Sequence, residues 1–287
     1  MAVDLGRIAM PHTLSTRTVV VLLAPLSALL LLFFLIPLGL VGWSSIYDQG
    51  YTLRGYAEVA GGTLIHRVLQ NTLHISVLAT LTSLVLGYLI AMHLAAMSPR
   101  RRAPYLIMVM LPFWTSILVK SYAFTIVLGS SGVVNRLLGW MSGGSWHVDL
   151  LFNRVGVVLG MTNYLLPFMV LPVMASLINQ NRSLHLAAEI MGASPWRIFT
   201  RITLPLSLPG VCAGVLMCLT LSMGMYITPA LLGGRQDMML ANLIDFYTRQ
   251  TLDWTLASSI AFVLLAISAL LIAMLIRVQQ DRETTFA

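Results

Sequence analysis

Carboxylates are scarce in this chain, and six long stretches hold none at all. Its 287 residues include ten Asp and Glu, seventeen Lys and Arg, and two cysteines, and Lys120 is the one lysine. Cys212 and Cys218 both fall in one apolar run, where six residues of helix would separate their α-carbons by roughly 9 Å, beyond disulfide reach. They read as buried thiols, and redox chemistry is not indicated. No G-x-x-x-x-G-K-[ST] phosphate loop occurs, so the chain is not expected to bind a nucleotide itself. The six histidines (His12, His66, His74, His93, His147 and His185) are scattered, with no H-E-x-x-H spacing and no metal site implied. Gly192-Ala193-Ser194-Pro195 lacks the closing glycine of a serine-hydrolase elbow. The sequence therefore points to no catalytic residue, no metal and no bound cofactor.

What the chain does contain is apolar length. It is 58% hydrophobic and 9% charged, with a mean hydropathy of +0.86, far from the soluble average. The six stretches free of Asp and Glu are Val19 to Trp43, Gln70 to Met97, Pro104 to Leu128, Val155 to Ile178, Leu206 to Leu232 and Thr255 to Ile276. Each reaches the roughly 20 residues of a helical membrane span. The expectation is an all-α integral membrane protein of six transmembrane helices: a leader over 1–18, one membrane domain over 19–276 with an inner loop at 179–205, and a tail over 277–287. The first apolar run is too long for a cleaved signal peptide. The net charge of +7 would suggest nucleic acid for a soluble protein, but here the placement of arginines matters more. With the N-terminus inside, the inner segments hold ten of them (Arg7, Arg17, Arg100, Arg101, Arg102, Arg182, Arg197, Arg201, Arg277 and Arg282) and the outer segments six. The excess places both termini and the loop around Ser183 to Arg201 in the cytoplasm, with membrane lipid as a partner and nucleic acid as none.

Along the chain, Tyr47, Tyr51 and Tyr56 are either interfacial belt residues or a surface for a soluble partner. Gln70, Asn71, Thr72 and His74 are too polar for lipid and imply helix partners. The segment from Gly129 to Phe152, rich in glycine and serine, reads as flexible. Asn163, Tyr164 and Pro167 bring polar atoms and a kink into the fourth span, and Gly210-x-x-x-Gly214 permits close packing in the fifth. Lys120 lies about eight residues, roughly 12 Å, from the outer end of the third span. With Phe113 and Ser116 it shares one helical side, so it either faces a wet path or snorkels outward.

The inner loop is the most informative stretch. Ser183 is positioned to cap a helix over Leu184 to Met191, and Gly192 to end it in the left-handed conformation. Ser194 and Pro195 then open a second helix, with Pro205 and Pro209 marking its exit. Trp196, Phe199 and Ile202 form one side of it and Arg197 and Arg201 another, as on a helix at the inner membrane surface. An ordinary amphipathic loop between spans is the plainer alternative.

The order Ala187-Ala188, Gly192, then Ile202-x-Leu204-Pro205 resembles the cytoplasmic loop of bacterial ABC importer permeases. Leu111-Pro112-Phe113-Trp114-Thr115-Ser116 resembles the spermidine/putrescine branch, as do Thr228 to Gly234 and Met239 to Ile244. The resemblance implies the type I importer permease fold in the bacterial inner membrane. It also implies a loop, through Leu186, Ala187, Ala188, Glu189, Gly192 and Ala193, that docks on an ATPase. Leu186 stands where the family has glutamate, so the cap is left to the serine. The implied partners are two copies of a cytoplasmic ATPase holding ATP and Mg, a second related permease, and a soluble binding protein. Polyamine is the implied solute, with opines or aminoethylphosphonate as alternatives. Trp114, Ser116, Lys120, Tyr122, Asn163, Tyr164 and Tyr226 are the candidates for a translocation pathway. A self-contained secondary transporter or channel is the competing class, and the want of intramembrane carboxylates weighs against it.

Overall fold

In a lipid surround a helix satisfies its own backbone, and among the described residues this chain forms helices and no strands. The computed structural model describes residues 16–48 and 50–286; the leader expected over 1–18, with Arg7 and His12, lies outside them apart from 16–18. In chain order come α1 (Thr16–Ile46), α2 (Arg54–Gly61), α3 (Thr63–Ala96), α4 (Pro99–Trp114), α5 (Ile117–Leu128), α6 (Val133–Met141) and α7 (Arg154–Ile178). They continue with α8 (Arg182–Ile190), α9 (Pro195–Ile198), a π-helical turn at Phe199–Thr203, α10 (Leu204–Met223), α11 (Ile227–Leu232), α12 (Leu240–Phe246), a second π-helical turn at Tyr247–Thr251, and α13 (Trp254–Phe286). Six helical runs are long and apolar enough to cross a membrane: Leu22–Ile46, Thr63–Ala96, Ile117–Met141, Arg154–Ile178, Pro195–Met223 and Trp254–Met274.

Several expected boundaries move. The second span begins at Thr63, ahead of Gln70. The third, expected from Pro104 to Leu128 with an interruption over Leu111 to Ser116, is divided at Thr115 and Ser116, whose non-helical backbones separate α4 from α5. Phe113 and Lys120 therefore sit on different helices, and the single helical side expected to join them does not exist. The fifth stops at Met223, short of Leu232, because Gly224 ends it and Pro229 sits in the first turn of α11, where its missing N–H is harmless. Pro205 and Pro209 do not end the inner-loop helix. The chain runs on through the π-helical turn, where Leu204 N–H donates to the Phe199 carbonyl, and this wider turn accommodates Pro205 at the head of α10. The segment after α5 is folded, contrary to expectation. Buried Asn135 donates to the carbonyls of Gly129 (3.1 Å) and Val148 (3.0 Å) and accepts from Val148 N–H at 2.9 Å.

α7 is the centre of the bundle, packed chiefly on α3 and α10 and also against α4, α5 and α11. Ile75, Ala79 and Ala91 of α3 meet Met161, Leu165 and Met169 of α7 in its core. Hydroxyl pairs stitch neighbouring helices: Thr82 to Thr162 at 2.6 Å, Tyr88 to Ser207 at 2.9 Å, and Ser121 to Thr228 at 3.2 Å. Of the polar residues expected to open the second span, Asn71 and Thr72 find partners, while Gln70 and His74 are exposed. Asn71 donates to the Gln236 carbonyl and accepts from Arg154 at 3.0 Å, Arg154 pairs with Asp237 at 3.2 Å, and Thr72 accepts from Leu240 N–H at 2.9 Å. α1 packs mainly along α13, with Ser44 and Ser258 hydroxyls 2.7 Å apart, and is otherwise exposed, as suits a helix apolar all round facing lipid.

The Gly210-x-x-x-Gly214 pair lets α10 approach α7. A β-carbon at Gly210 would fall 2.5 Å from the Pro172 carbonyl oxygen, and one at Gly214 2.7 Å from the Met169 sulfur. Gly139 in α6 faces open space instead. Gly210→Ala should therefore destabilise the protein by about 1–3 kcal/mol, the usual penalty of overpacking. Gly139→Ala should stabilise it by up to about 1 kcal/mol through helix propensity. Thermal unfolding in detergent micelles should show the two shifts with opposite sign.

Candidate functional site

The inner-loop element is built on caps. Asn181, not Ser183, is the N-cap of α8: its Oδ1 accepts from Ser183 N–H at 3.0 Å and from the Ser183 hydroxyl at 2.8 Å. The amide oxygen two residues earlier already satisfies the serine, which becomes a donor to the cap instead of the cap itself. The other end closes as the sequence suggests. Gly192 takes φ +77°, Gly192 N–H donates to the Glu189 carbonyl at 2.9 Å, and Ala193 N–H donates to Ala188 at 3.0 Å. This paired closure is a Schellman motif. Ser194 accepts from Arg197 N–H at 3.4 Å and Pro195 opens α9.

Packing turns one face of α8 inward and leaves the other bare. Ala188 is buried, Ala193 is half-buried, and Leu186, Ala187, Glu189 and Gly192 are exposed. Ile190 and Met191 are 87% and 81% exposed, and Leu184 and Trp196 add to this apolar surface. Two side chains, one in α8 and one just ahead of its N-cap, tie this element to the foot of α10. His185 Nε2 lies 3.1 Å from the Thr203 hydroxyl, and the Gln180 amide donates to the Thr203 carbonyl at 3.0 Å. Phe199 packs edge-on against Tyr88 of α3, ring centres 6.0 Å apart.

At the far end of α10 the break before α11 opens a hollow of about 470 Å³, lined by Ile117, Tyr164, Thr220, Leu221, Gly224, Met225, Tyr226 and Ile227. The structure thus brings together Tyr164 and Tyr226 from different helices. Lys120 stands beside them, its Nζ 5.0 Å from the centre of the Tyr164 ring. The amine also donates to the Pro112 carbonyl, so the side chain reaches back toward the α4–α5 break and not to the outer end of its helix. There it neutralises the carbonyl end of α4, with the Thr115 hydroxyl donating to the same oxygen at 3.1 Å. Ser116 heads α5, its carbonyl accepting from Lys120 N–H at 3.0 Å. Trp114 is 80% exposed but joins the group through a chain of rings, with Trp114 against Phe113 at 5.5 Å, Phe113 against Phe168 at 5.7 Å, and Phe168 against Tyr164 at 5.6 Å. Tyr122 is exposed and Asn163 half-buried, and neither contributes to the lining.

Sequence reasoning missed Asp245. It lies outside the apolar stretches, yet α12 folds back so that Asn242 donates to the Tyr226 carbonyl at 3.0 Å and the Tyr226 hydroxyl donates to Asp245 at 3.1 Å. Arg249, one turn on, pairs with the same carboxylate at 2.6 Å. The signal within reach was that i, i+4 pair, one residue beyond the Met239 to Ile244 motif.

Over residues 83–285 the sequence matches the family described as "Binding-protein-dependent transport system inner membrane component". It is 31% identical over 260 residues to the spermidine/putrescine transport system permease protein PotB of Salmonella typhimurium strain LT2, covering 88% of this chain and 90% of that one. To PotB of Haemophilus influenzae it is 33% identical over 229 residues, 80% of each. Among solved structures, a bacterial ABC transporter involved in the import of alginate superposes with a TM-score of 0.73 at 20% identity, covering 92% of this chain and 95% of that one. The helical bundle with its six potential spans and capped inner loop is thus that of an ABC importer permease, and the chain belongs to the binding-protein-dependent family of multi-pass inner-membrane transport components.

Proposed function

We propose that this permease forms half of the translocation unit of an ATP-driven importer for a polyamine-type solute such as spermidine or putrescine. The observation that carries the reading is α8, a short helix closed at both ends that presents Ile190 and Met191 bare while Ala188 anchors it. Such a face suits a groove in a cytoplasmic ATPase, which would bring ATP and Mg, with two copies serving a permease pair. Both chain ends would then lie in the cytoplasm, and a soluble binding protein would deliver the solute from the other side. The second permease is taken to be a related but different chain. The PotB relatives support the polyamine choice by name, and the aromatic walls of the hollow suit an organic cation. The hollow, with Tyr164, Tyr226 and Lys120, is taken as part of the path.

Three outcomes test this reading. Gly192→Val forces a β-branched residue into a φ of +77°, strain of about 1–3 kcal/mol. In reconstituted vesicles it should abolish solute uptake and uncouple it from ATP hydrolysis while the permease still inserts; uptake at the unaltered rate would rule the docking assignment out. Co-expression with the ATPase should give an active complex only when the second permease is present, as subunit composition of the purified importer will report. Lys120→Met leaves the end of α4 without its cation, a loss of about 0.3–2 kcal/mol. It should lower the uptake rate without preventing assembly; unchanged kinetics would remove Lys120 from the path.

A further inference from the structure

We infer that Asp245, presented at the rim of the hollow by Tyr226, is a specificity-determining site for the ammonium group of the transported solute, and that Arg249 occupies it when no solute is bound. The inference rests on the proposal that the hollow belongs to the translocation path. No charged side chain lines the hollow itself. The carboxylate that reaches its wall is Asp245, one of whose oxygens accepts from the Tyr226 hydroxyl at 3.1 Å.

Three other carboxylates at this end of the molecule are committed elsewhere. Glu58 and Asp253 share Arg54, at 2.7 and 3.4 Å, and Asp237 is buried against Arg154 at 3.2 Å while accepting Gly234 N–H at 3.2 Å. Asp237 has a structural task, since it holds the turn between α11 and α12. The partner of Asp245 is of a different kind. Arg249 is 78% exposed and comes from the same helical segment, one turn away, at 2.6 Å. An exposed pair of this geometry is weak, so an arriving ammonium ion can displace the guanidinium with little loss.

A carboxylate offers about four acceptor positions, and the tyrosine uses one. Displacement of Arg249 frees a second oxygen for a charge-assisted bond, while the Tyr164 and Tyr226 rings supply faces to the alkyl chain and the cation. Lys120, beside the Tyr164 ring and engaged by the Pro112 carbonyl, disfavours a second cation at its own side of the hollow. An ammonium group of the solute is thereby favoured at the Tyr226 wall.

The test uses the assembled importer in vesicles and esterification of carboxylates by a diazo reagent, which does not couple amines to them, mapped by mass spectrometry. Putrescine or ethylammonium should protect Asp245 from modification where potassium chloride of equal ionic strength does not. In Arg249→Gln the same protection should need roughly tenfold less putrescine, since the competing cation is gone. With saturating loaded binding protein, Asp245→Asn should slow putrescine uptake roughly ten- to hundredfold, with uptake restored in part by Asp245→Glu. A purely structural Asp245 predicts instead that Asp245→Asn and Arg249→Gln impair uptake alike, and that result would overturn the inference. So would the absence of protection by either organic cation, whatever the transport result. Protection by ethylammonium in an importer that does not carry putrescine would refute the polyamine reading and leave Asp245 as an ammonium site.

Discussion

Free backbone carbonyls are the quantity this fold has to manage. Hydrocarbon offers them no partner, so a spanning helix can break only where something else accepts or donates in its place. The chain breaks its helices at two apolar places, Thr115–Ser116 and Gly224–Tyr226, and polar side chains serve both. Lys120 and Thr115 donate to the Pro112 carbonyl at the first, and Asn242 donates to the Tyr226 carbonyl at the second. At the foot of α10 the same problem is solved within the backbone, by widening one turn to the π form ahead of Pro205. The hollow exists because these two breaks lie side by side, with Ile117 from one and Tyr226 from the other on its walls.

Seen this way, Lys120 has a structural reason for its depth. A charge inside a membrane bundle is expensive unless it is paired, and here it is matched to the exposed carbonyl end of a helix and to an aromatic face. The same contacts fix it beside the hollow. Its structural task and its proposed place along the path follow from one position.

The parts of the structure that were legible from sequence are those set by local composition. Apolar length showed that there are six candidate crossings, though the third run lies at Ile117–Met141 and not at Pro104 to Leu128, and the left-handed Gly192 and the Ser194–Pro195 start were readable because caps depend on a few adjacent residues. What stayed hidden depends on competition or on distance. Asn181 takes the cap because the helix starts at Arg182, two residues earlier than expected, and its amide oxygen accepts the Ser183 N–H and hydroxyl. The prolines misled at 205 and 209: a π turn just ahead of Pro205 accommodates the first, and the second lies inside α10, in a helix that continues past it. Asp245 could not be placed by any span-based reading. Hydropathy assigns it to a connecting segment, and only the fold-back of α12, held by Asn242 and by Leu240 on Thr72, brings it to Tyr226.

α10 connects the two ends of the molecule that matter. Its foot is Thr203, held through backbone carbonyl and hydroxyl by Gln180 and His185, and its head is the break that shapes the hollow. Twenty residues of helix span about 30 Å at 1.5 Å per residue. Along that length Gly210 and Gly214 set the helix flush against α7, and Pro209 sits inside it. A displacement of α8 that carries Thr203 would reach Gly224 and Tyr226 through this helix. The π turn at Phe199–Thr203 joins α9 to this helix, and turns of that kind are found frequently at functional sites. The inner loop and the hollow are thus joined by a single element, which is what an importer needs if the loop is the docking site proposed above and the hollow part of its path.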